Sequence, residues 1–176
     1  MSKGLTLIEL LVVTTIIGIL SSVLFLGSRG EEKKLALQRS AFQLIQDLRE
    51  VQGMTMGAEE IGCNGGGTYS FGINFDTTLT SYYLFADCPT TDQKYNKNDD
   101  KLLREVKLEK EVEINNLKIQ ELSTSTLDIV FFPPDPTTHI NQIEWGTEGV
   151  ITLSLKSDPS QQKTVKINSA GRIEIE

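Results

Sequence analysis

The chain begins with a short leader at residues 1–4 and continues as an almost unbroken apolar segment over residues 5–27. The only charged residue in that segment is Glu9. A helix over this range would be about 35 Å long, which is enough to cross the apolar core of a bilayer. A carboxylate is costly in hydrocarbon and usually marks a function there. The pattern therefore predicts a membrane-inserted helix that carries one functional charge.

A second helical pattern follows over residues 31–52. Its apolar residues recur at three- and four-residue spacing and predict one buried stripe, made of Leu37, Ala41, Leu44, Ile45, Leu48 and Val51. The polar residues between them, which include Asp47, are expected on the remaining faces. Two glycines within residues 27–30 predict a bend or a weak point between the two helical segments. Gly53 predicts the end of the helix.

Beyond residue 60 apolar and polar residues alternate, which is typical of half-buried strands. About eight short strands are predicted, over residues 69–75, 82–85, 103–108, 112–119, 127–132, 151–155, 164–167 and 172–175. Turns are expected at residues 133–136, 158–160 and 168–171. No helical pattern separates the strands, so we expect antiparallel sheets.

Together these elements predict an α+β fold, in which a long N-terminal helix packs its second half on antiparallel β-sheets, arranged as a sandwich or a strongly curved sheet. The predicted parts are a leader over 1–4, a membrane-spanning assembly helix over 5–27, an amphipathic helix over 28–53 and a β-rich domain over 54–176. That last part is long enough for one hydrophobic core.

The start of the apolar segment carries a family resemblance. Residues 3–10, KGLTLIEL, resemble the processing motif of type IV prepilins and type II secretion pseudopilins. In that family a membrane peptidase cuts after the glycine, the new N-terminal residue is methylated, and a glutamate five residues into the mature chain guides assembly. The resemblance implies cleavage between Gly4 and Leu5, methylation of Leu5 and an assembly role for Glu9. It also implies three kinds of partner: prepilin peptidase, other pilins or pseudopilins, and an inner-membrane assembly platform.

The physical chemistry of Glu9 leaves two interpretations open. In a bundle of such helices the α-amine of a neighbouring mature chain could pair with this carboxylate and fix the register of one helix against the next. Alternatively, Glu9 lies at the headgroup level, where a negative charge suits the start of a helix. The motif upstream favours the assembly role.

The N-terminal pattern also bears on location. A secretory signal peptide has a shorter apolar core and a cleavage site after it, whereas the expected cut here precedes the apolar segment. An ordinary transmembrane anchor stays open as an alternative. Because a four-residue leader stays in the cytoplasm, where the family's peptidase acts, we expect a single-pass protein of the inner membrane. Its C-terminal domain would be extracytoplasmic, first at the membrane and then in a periplasmic or surface filament.

Within the family the chain resembles the minor subclass that includes the H-type pseudopilin and the FimT-like pilins. The resembling parts are the helix around residues 43–49, the strand end at 131–134 and the closing hairpin at 171–173. The resemblance is strong over the first 52 residues, loose over 127–176 and absent between.

Two cysteines, Cys63 and Cys88, fall in the part of the chain expected outside the cytoplasm. A disulfide between them would close a loop of about 25 residues and stabilise the fold by around 3 kcal/mol. The exported location favours this pair, while two unrelated thiols remain the alternative.

Catalytic and metal-binding patterns are weak. The single histidine, His139, supports neither a multi-histidine metal site nor an acid–base pair, and is expected to be an ordinary loop residue. The glycines at 65–67 lack the Gly-Lys-Ser/Thr of a phosphate loop and predict a flexible turn. Oxygen-bearing side chains at 92–100 could approach calcium, but the interleaved lysines favour a solvated loop. We therefore expect no enzyme activity, metal, cofactor or small-molecule substrate.

The main rival function is DNA capture, which some FimT-like pilins perform. The net charge of −7 opposes it, because phosphate binding needs a basic patch that overcomes the repulsion of the whole. The DNA-binding relatives carry a Gly-Arg-x-Arg run near the C-terminus, whereas here Glu174 stands at the second arginine. Lys163, Lys166 and Arg172 are the remaining candidates for DNA contacts.

The sequence thus predicts a minor pilin or pseudopilin, a non-catalytic structural subunit of a type IV pilus-like or type II secretion filament. The main rival function remains DNA binding by a minor pilin for transformation. Among the other classes of protein, a membrane-anchored binding module that never polymerises comes second and an enzyme third. The choice among secretion, adhesion and competence machines stays open, as does a position at the tip or along the shaft.

Overall fold

The computed structural model describes residues 6–57, 60–63, 66–88, 92–133 and 137–176, and for residues 23–29 it describes the backbone alone. The chain divides into two compact units, Met1–Leu35 and Ala36–Glu176. The predicted α+β class is confirmed: one N-terminal helix precedes antiparallel sheets.

The helix, α1, spans Leu7–Met56. It remains helical through residues 27–30, where the two glycines predicted a bend or weak point. It also continues three residues past Gly53, the predicted end. The reason is local, since the backbone N–H of Gly57 still donates to the carbonyl of Gly53 over 2.8 Å.

Twelve strands follow in the described part of the chain. In chain order they are β1 Ile61–Cys63, β2 Gly66–Thr68, β3 Phe71–Asp76, β4 Ser81–Ala86, β5 Lys101–Lys107, β6 Val112–Ile119, β7 Leu122–Thr124, β8 Thr126–Phe132, β9 Thr137–Ile140, β10 Glu148–Leu155, β11 Asp158–Asn168 and β12 Ile173–Ile175.

The strands form two five-stranded antiparallel sheets and one small hairpin. The first sheet has the order β5-β4-β3-β8-β9, and the second has the order β12-β11-β10-β6-β7. β1 and β2 pair with each other alone. In the second sheet, the pairs Leu117 with Ile151 and Ile151 with Val165 place apolar residues of three strands in one row.

One hydrophobic core unites the C-terminal unit. All six helix residues of the predicted buried stripe are buried: Leu37, Ala41, Leu44, Ile45, Leu48 and Val51. They share a cluster with inward residues of both sheets, such as Phe71 and Phe75 of β3 and Leu153 of β10. The amphipathic prediction for this half of the helix is therefore confirmed.

Several expectations about local structure were wrong. Asp47 is 6% exposed rather than on a polar face, because it bonds to groups on the first sheet. His139 lies in β9 rather than in a loop. Residues 158–160 begin β11 instead of forming a turn. The strands β1, β2, β7 and β9 were not predicted, and β2 contains Gly66 and Gly67, which were expected in a flexible turn. These short strands are defined by their pairing, β1 with β2, β7 with β6 and β9 with β8, which periodicity along the chain does not report.

Candidate functional site

The first stretch of α1, residues 7–22, exposes apolar side chains on every face of the helix. Examples are Leu7 at 82%, Ile8 at 71% and Leu20 at 61% exposed. A helix that is apolar all round is stable only when lipid or other protein covers it. The side chains here are uncovered in the single chain, so this segment requires an apolar environment that the chain itself does not supply.

Within the described residues, no helix is long and apolar enough to cross a membrane.

Glu9 forms a reciprocal cap with Thr6 at the start of the helix. The backbone N–H of Glu9 donates to Thr6 Oγ1 over 3.4 Å, and the backbone N–H of Thr6 donates to Glu9 Oε2 over 3.5 Å. This is the arrangement of a capping box, in which two residues three apart satisfy each other's free N–H groups. Both contacts lie at the long limit of hydrogen bonding, so they compensate little of the carboxylate's charge. The Thr-x-x-Glu spacing could have been read from the sequence.

Hydroxyl groups in the same stretch bond to the backbone of their own helix. Thr14 and Thr15 donate to the carbonyl of Leu11 over 3.0 and 2.8 Å, and Ser22 donates to that of Ile19 over 2.7 Å. A hydroxyl satisfied in this way needs no water. These three side chains are therefore compatible with apolar surroundings. The charged carboxylate of Glu9, in contrast, is not compatible with them.

The predicted cleavage and methylation positions, Gly4 and Leu5, lie outside the described residues. Residues 1–25 match the family model described as the prokaryotic N-terminal methylation motif, which is the signature of type IV prepilins and pseudopilins. The chain carries a type IV prepilin-like N-terminus. This prepilin-like segment contains Glu9 and the start of the all-round apolar helix.

No curated protein and no solved structure matched the chain. The motif match ends at residue 25 and therefore says nothing about the subclass of the β-rich unit.

In the C-terminal unit, a polar cluster joins the helix to the first sheet. Tyr82 Oη donates to Asp47 Oδ2 over 2.6 Å, and Arg104 Nη2 donates to Asp47 Oδ1 and to Glu50 Oε2, each over 2.7 Å. Burial raises the pKa of Asp47, although the bonds from Tyr82 and Arg104 lower it in part. Burial, and then the neighbouring Asp47, raise the pKa of Tyr82 well above its usual value. The cluster fixes the helix at one register on β4 and β5.

Two further contacts join the helix to the rest of the C-terminal unit, one near each end of the helical part of this unit. Arg39 Nε and Nη2 donate to the two carboxylate oxygens of Glu109, over 2.7 and 2.9 Å. Gln52 Nε2 donates to the carbonyl of Gly171 over 3.2 Å. Arg39 and Gln52 are about 20 Å apart along a helix with a 1.5 Å rise. We call the Arg39 end the near end and the Gln52 end the far end.

The predicted disulfide is present between Cys63 and Cys88, whose Cα atoms are 5.7 Å apart. It ties the hairpin β1–β2 to the segment after β4.

The neighbouring Asp87 is fully buried. Neither oxygen of its carboxylate has a hydrogen-bond partner among the described residues. Burial, and then the charge of Asp100, raise the pKa of Asp87 to about 7, and the backbone of Gln93 offsets only part of that rise.

The candidate DNA-contact residues lie on the second sheet and its closing hairpin. Lys166 Nζ donates to Glu176 Oε1 over 2.8 Å, and Arg172 pairs with Glu174. Glu174 also stands directly opposite Lys166 in the β11–β12 pairing. Two of the three candidate cations are therefore neutralised locally, while Lys163 has no salt bridge among the described residues.

The remaining candidates from the sequence take structural positions. His139 Nδ1 lies 3.0 Å from Gln93 Oε1, and its ring packs edge-on against Phe132. Asp100 Oδ1 and Oδ2 accept bonds from the backbones of Cys88 and Asn96, so this acid orders its loop. Across the described ranges, no group of three or more metal-ligating side chains could hold a metal ion.

Proposed function

We propose that this protein is a minor pilin or pseudopilin, a non-catalytic subunit that inserts in the inner membrane and then assembles into a filament through its N-terminal helix. Prepilin peptidase would cut after Gly4, and Leu5 would be methylated. The observation that carries the proposal is the methylation motif at residues 1–25, which leads into a helix that is apolar on all sides.

Glu9 is the proposed assembly residue. Its own helix compensates it poorly, because both capping contacts are as long as 3.4 to 3.5 Å. In an apolar environment such a carboxylate is stabilised by a cation from outside the chain. The α-amine of a neighbouring processed subunit has the right charge. Pairing of this kind would set the axial register between neighbouring helices.

The second half of α1 supports a structural role, because it carries a folded domain. The C-terminal unit binds its part of the helix by a shared core, by the Asp47 cluster and by the Arg39–Glu109 pair. These contacts hold the domain on the part of α1 that belongs to the same unit. Prepilin peptidase, sibling pilins and an inner-membrane platform are the partners that this function needs.

The test compares two substitutions of Glu9 that separate charge from capping. Glutamine serves at the third helical position of a capping box as glutamate does, but it has no charge. In cells that assemble the filament, we expect Glu9→Gln and Glu9→Leu to insert in the membrane normally and to be depleted from sheared filaments. The matched control is Glu32→Gln, at an exposed position of the same helix.

Incorporation is measured by immunoblotting the sheared filaments against the membrane fraction. Loss with both Glu9 variants, but not with Glu32→Gln, supports charge pairing. Normal incorporation of Glu9→Gln would show that Glu9 acts only as a helix cap and that its charge is not needed for assembly. If the wild-type chain is absent from every filament fraction, the alternative function is supported, in which the protein is a membrane-anchored module that does not polymerise.

A further inference from the structure

Two large apolar side chains of the C-terminal unit lie almost entirely in solvent. Leu122, at the start of β7, is 78% exposed, and Trp145, in the turn before β10, is 76% exposed. Exposed aromatic side chains are enriched among the residues that dominate protein–protein binding energy. Neither side chain contributes to the core described above, so each is available to a partner.

The chain segments that carry the two side chains are bonded to each other. Gln120, two residues before Leu122, donates through Nε2 to the carbonyl of Gly146 over 3.1 Å, and its backbone N–H donates to the carbonyl of Glu148 over 2.7 Å. Gly146 directly follows Trp145, so the β6–β7 turn is bonded to the Trp145 turn.

The Trp145 turn is held in one conformation before any partner arrives. The backbone N–H of Gly146 donates to Ser169 Oγ over 3.2 Å, and that of Ser169 donates to the carbonyl of Thr147 over 2.9 Å. Gly146 has φ of 68°, a value that favours glycine and lets the chain reverse there. A turn ordered in advance loses little conformational entropy on binding.

The two bonded turns border an open, acidic cavity. It has a volume of about 360 Å³ and is lined by residues that include Gln120, Glu121, Glu148 and Asn168, and Glu121 and Gly146 of the lining are the chain neighbours of Leu122 and Trp145. Glu144 lies next to Trp145 and is exposed. Within the described part of the chain, none of these three carboxylates forms a salt bridge. Their charge is therefore available to a cation from a partner.

This surface lies at the far end of the C-terminal unit. Ser169 belongs to the same turn as Gly171, whose carbonyl accepts the bond from Gln52 near the end of the helix. The near end, with Arg39 and Glu109, is about 20 Å away along the helix. A partner bound at the far end would not compete with contacts made at the near end.

We propose that Leu122, Trp145 and the carboxylates Glu121, Glu144 and Glu148 form a docking surface for a partner protein segment that combines a basic side chain with apolar neighbours. Trp145 and Leu122 pack against the apolar residues, and the arginine or lysine enters the acidic cavity. Trp145 can also stack on the cation. This inference goes beyond the assembly role and does not depend on it, since it concerns the C-terminal unit alone.

The test uses the fact that the chain has a single tryptophan, so indole fluorescence reports this surface alone. The full chain in detergent is titrated with synthetic pentapeptides in which leucine alternates with arginine, lysine, glutamine or glutamate. We expect the arginine and lysine peptides to shift the emission to the blue and to bind more weakly as salt is raised. The glutamate peptide should have no effect.

Variants that keep Trp145 locate the site. Glu121→Gln and Glu148→Gln should each weaken binding of the arginine peptide about two- to five-fold. Leu122→Ser should weaken it by about five-fold or more. The matched control, Glu105→Gln, changes an exposed acid on β5 of the other sheet and should leave binding unchanged.

Three outcomes would overturn the proposal. Equal binding of the glutamate and arginine peptides, or no binding by any of them, would show that the acidic cavity selects no cation. A blue shift on adding phosphatidylcholine vesicles without peptide would assign the surface to a membrane. A blue shift that grows with protein concentration alone would assign it to a second copy of the chain.

Discussion

Removing the hydroxyl of Tyr82 tests how the helix is fixed to the sheets. Tyr82 is 1% exposed and donates over 2.6 Å to Asp47, which is 6% exposed. Tyr82→Phe keeps the packed ring but leaves one oxygen of a buried carboxylate without its donor. A lost bond of this kind costs about 2 kcal/mol. For a chain of 176 residues that predicts a fall in melting temperature of about 6 °C.

The assay is thermal and urea unfolding of the full chain with the disulfide intact. Tyr83→Phe is the matched control, because Tyr83 is half-buried on the opposite side of the same strand and stacks its ring on Tyr95. It should change stability by less than about 0.5 kcal/mol. In a double-mutant cycle, Tyr82→Phe and Asp47→Asn should couple by about 1 kcal/mol or more. Equal stability of Tyr82→Phe and Tyr83→Phe would refute the assigned role of the cluster.

The other predictions concern the disulfide, pH and DNA. Replacing Cys63 and Cys88 by serine opens a loop with a sequence separation of 25 and should cost about 3 kcal/mol in urea unfolding, whereas an unchanged midpoint would show that the bond does not constrain the chain. The folded state raises the pKa of Asp87 to about 7, above the unfolded value near 3.9, so the contribution of Asp87 to stability should be greatest below about pH 4 and fall as the pH rises through 7. Asp87→Asn should remove that slope, and an identical pH profile for the variant would contradict this assignment. Duplex DNA should bind weakly or not at all at about 0.15 M salt, where screening is nearly complete beyond 8 Å. Glu174→Arg should raise DNA affinity, since it removes the partner of Arg172; micromolar binding by the unmodified chain that is lost with Lys166→Ala would establish a local basic patch.

Periodicity predicted those parts of the fold in which neighbours along the chain decide burial. The stripe from Leu37 to Val51 could be read because a helix repeats every 3.6 residues and one face packs on the sheets. The alternation of Phe71, Ile73 and Phe75 gave β3 for the corresponding reason, with a period of two.

Features that depend on distant partners could not be predicted in this way. Asp47 is buried because Tyr82 and Arg104, separated from it by 35 and 57 residues, satisfy its two oxygens. The turn that carries Trp145 is held by bonds between Gly146 and the side chains of Gln120 and Ser169, which lie in other turns. Neither relation leaves a local pattern. By contrast, the Thr6–Glu9 cap is local, and the three-residue spacing of its members can be recognised in the sequence.

The most direct test of whether the chain is a prepilin is to measure where its N-terminus begins after exposure to prepilin peptidase. The full chain is co-expressed with an active prepilin peptidase, purified from the membrane fraction and weighed intact, with Gly4→Ala as the blocked form. Gly18→Ala is the matched control, because a methyl group at Gly18 meets nothing within 4 Å. We predict that the wild type and Gly18→Ala begin at Leu5 and carry one added methyl group, while Gly4→Ala retains Met1. A wild-type chain that still begins at Met1, in membranes where the same peptidase has processed another prepilin, would contradict the account.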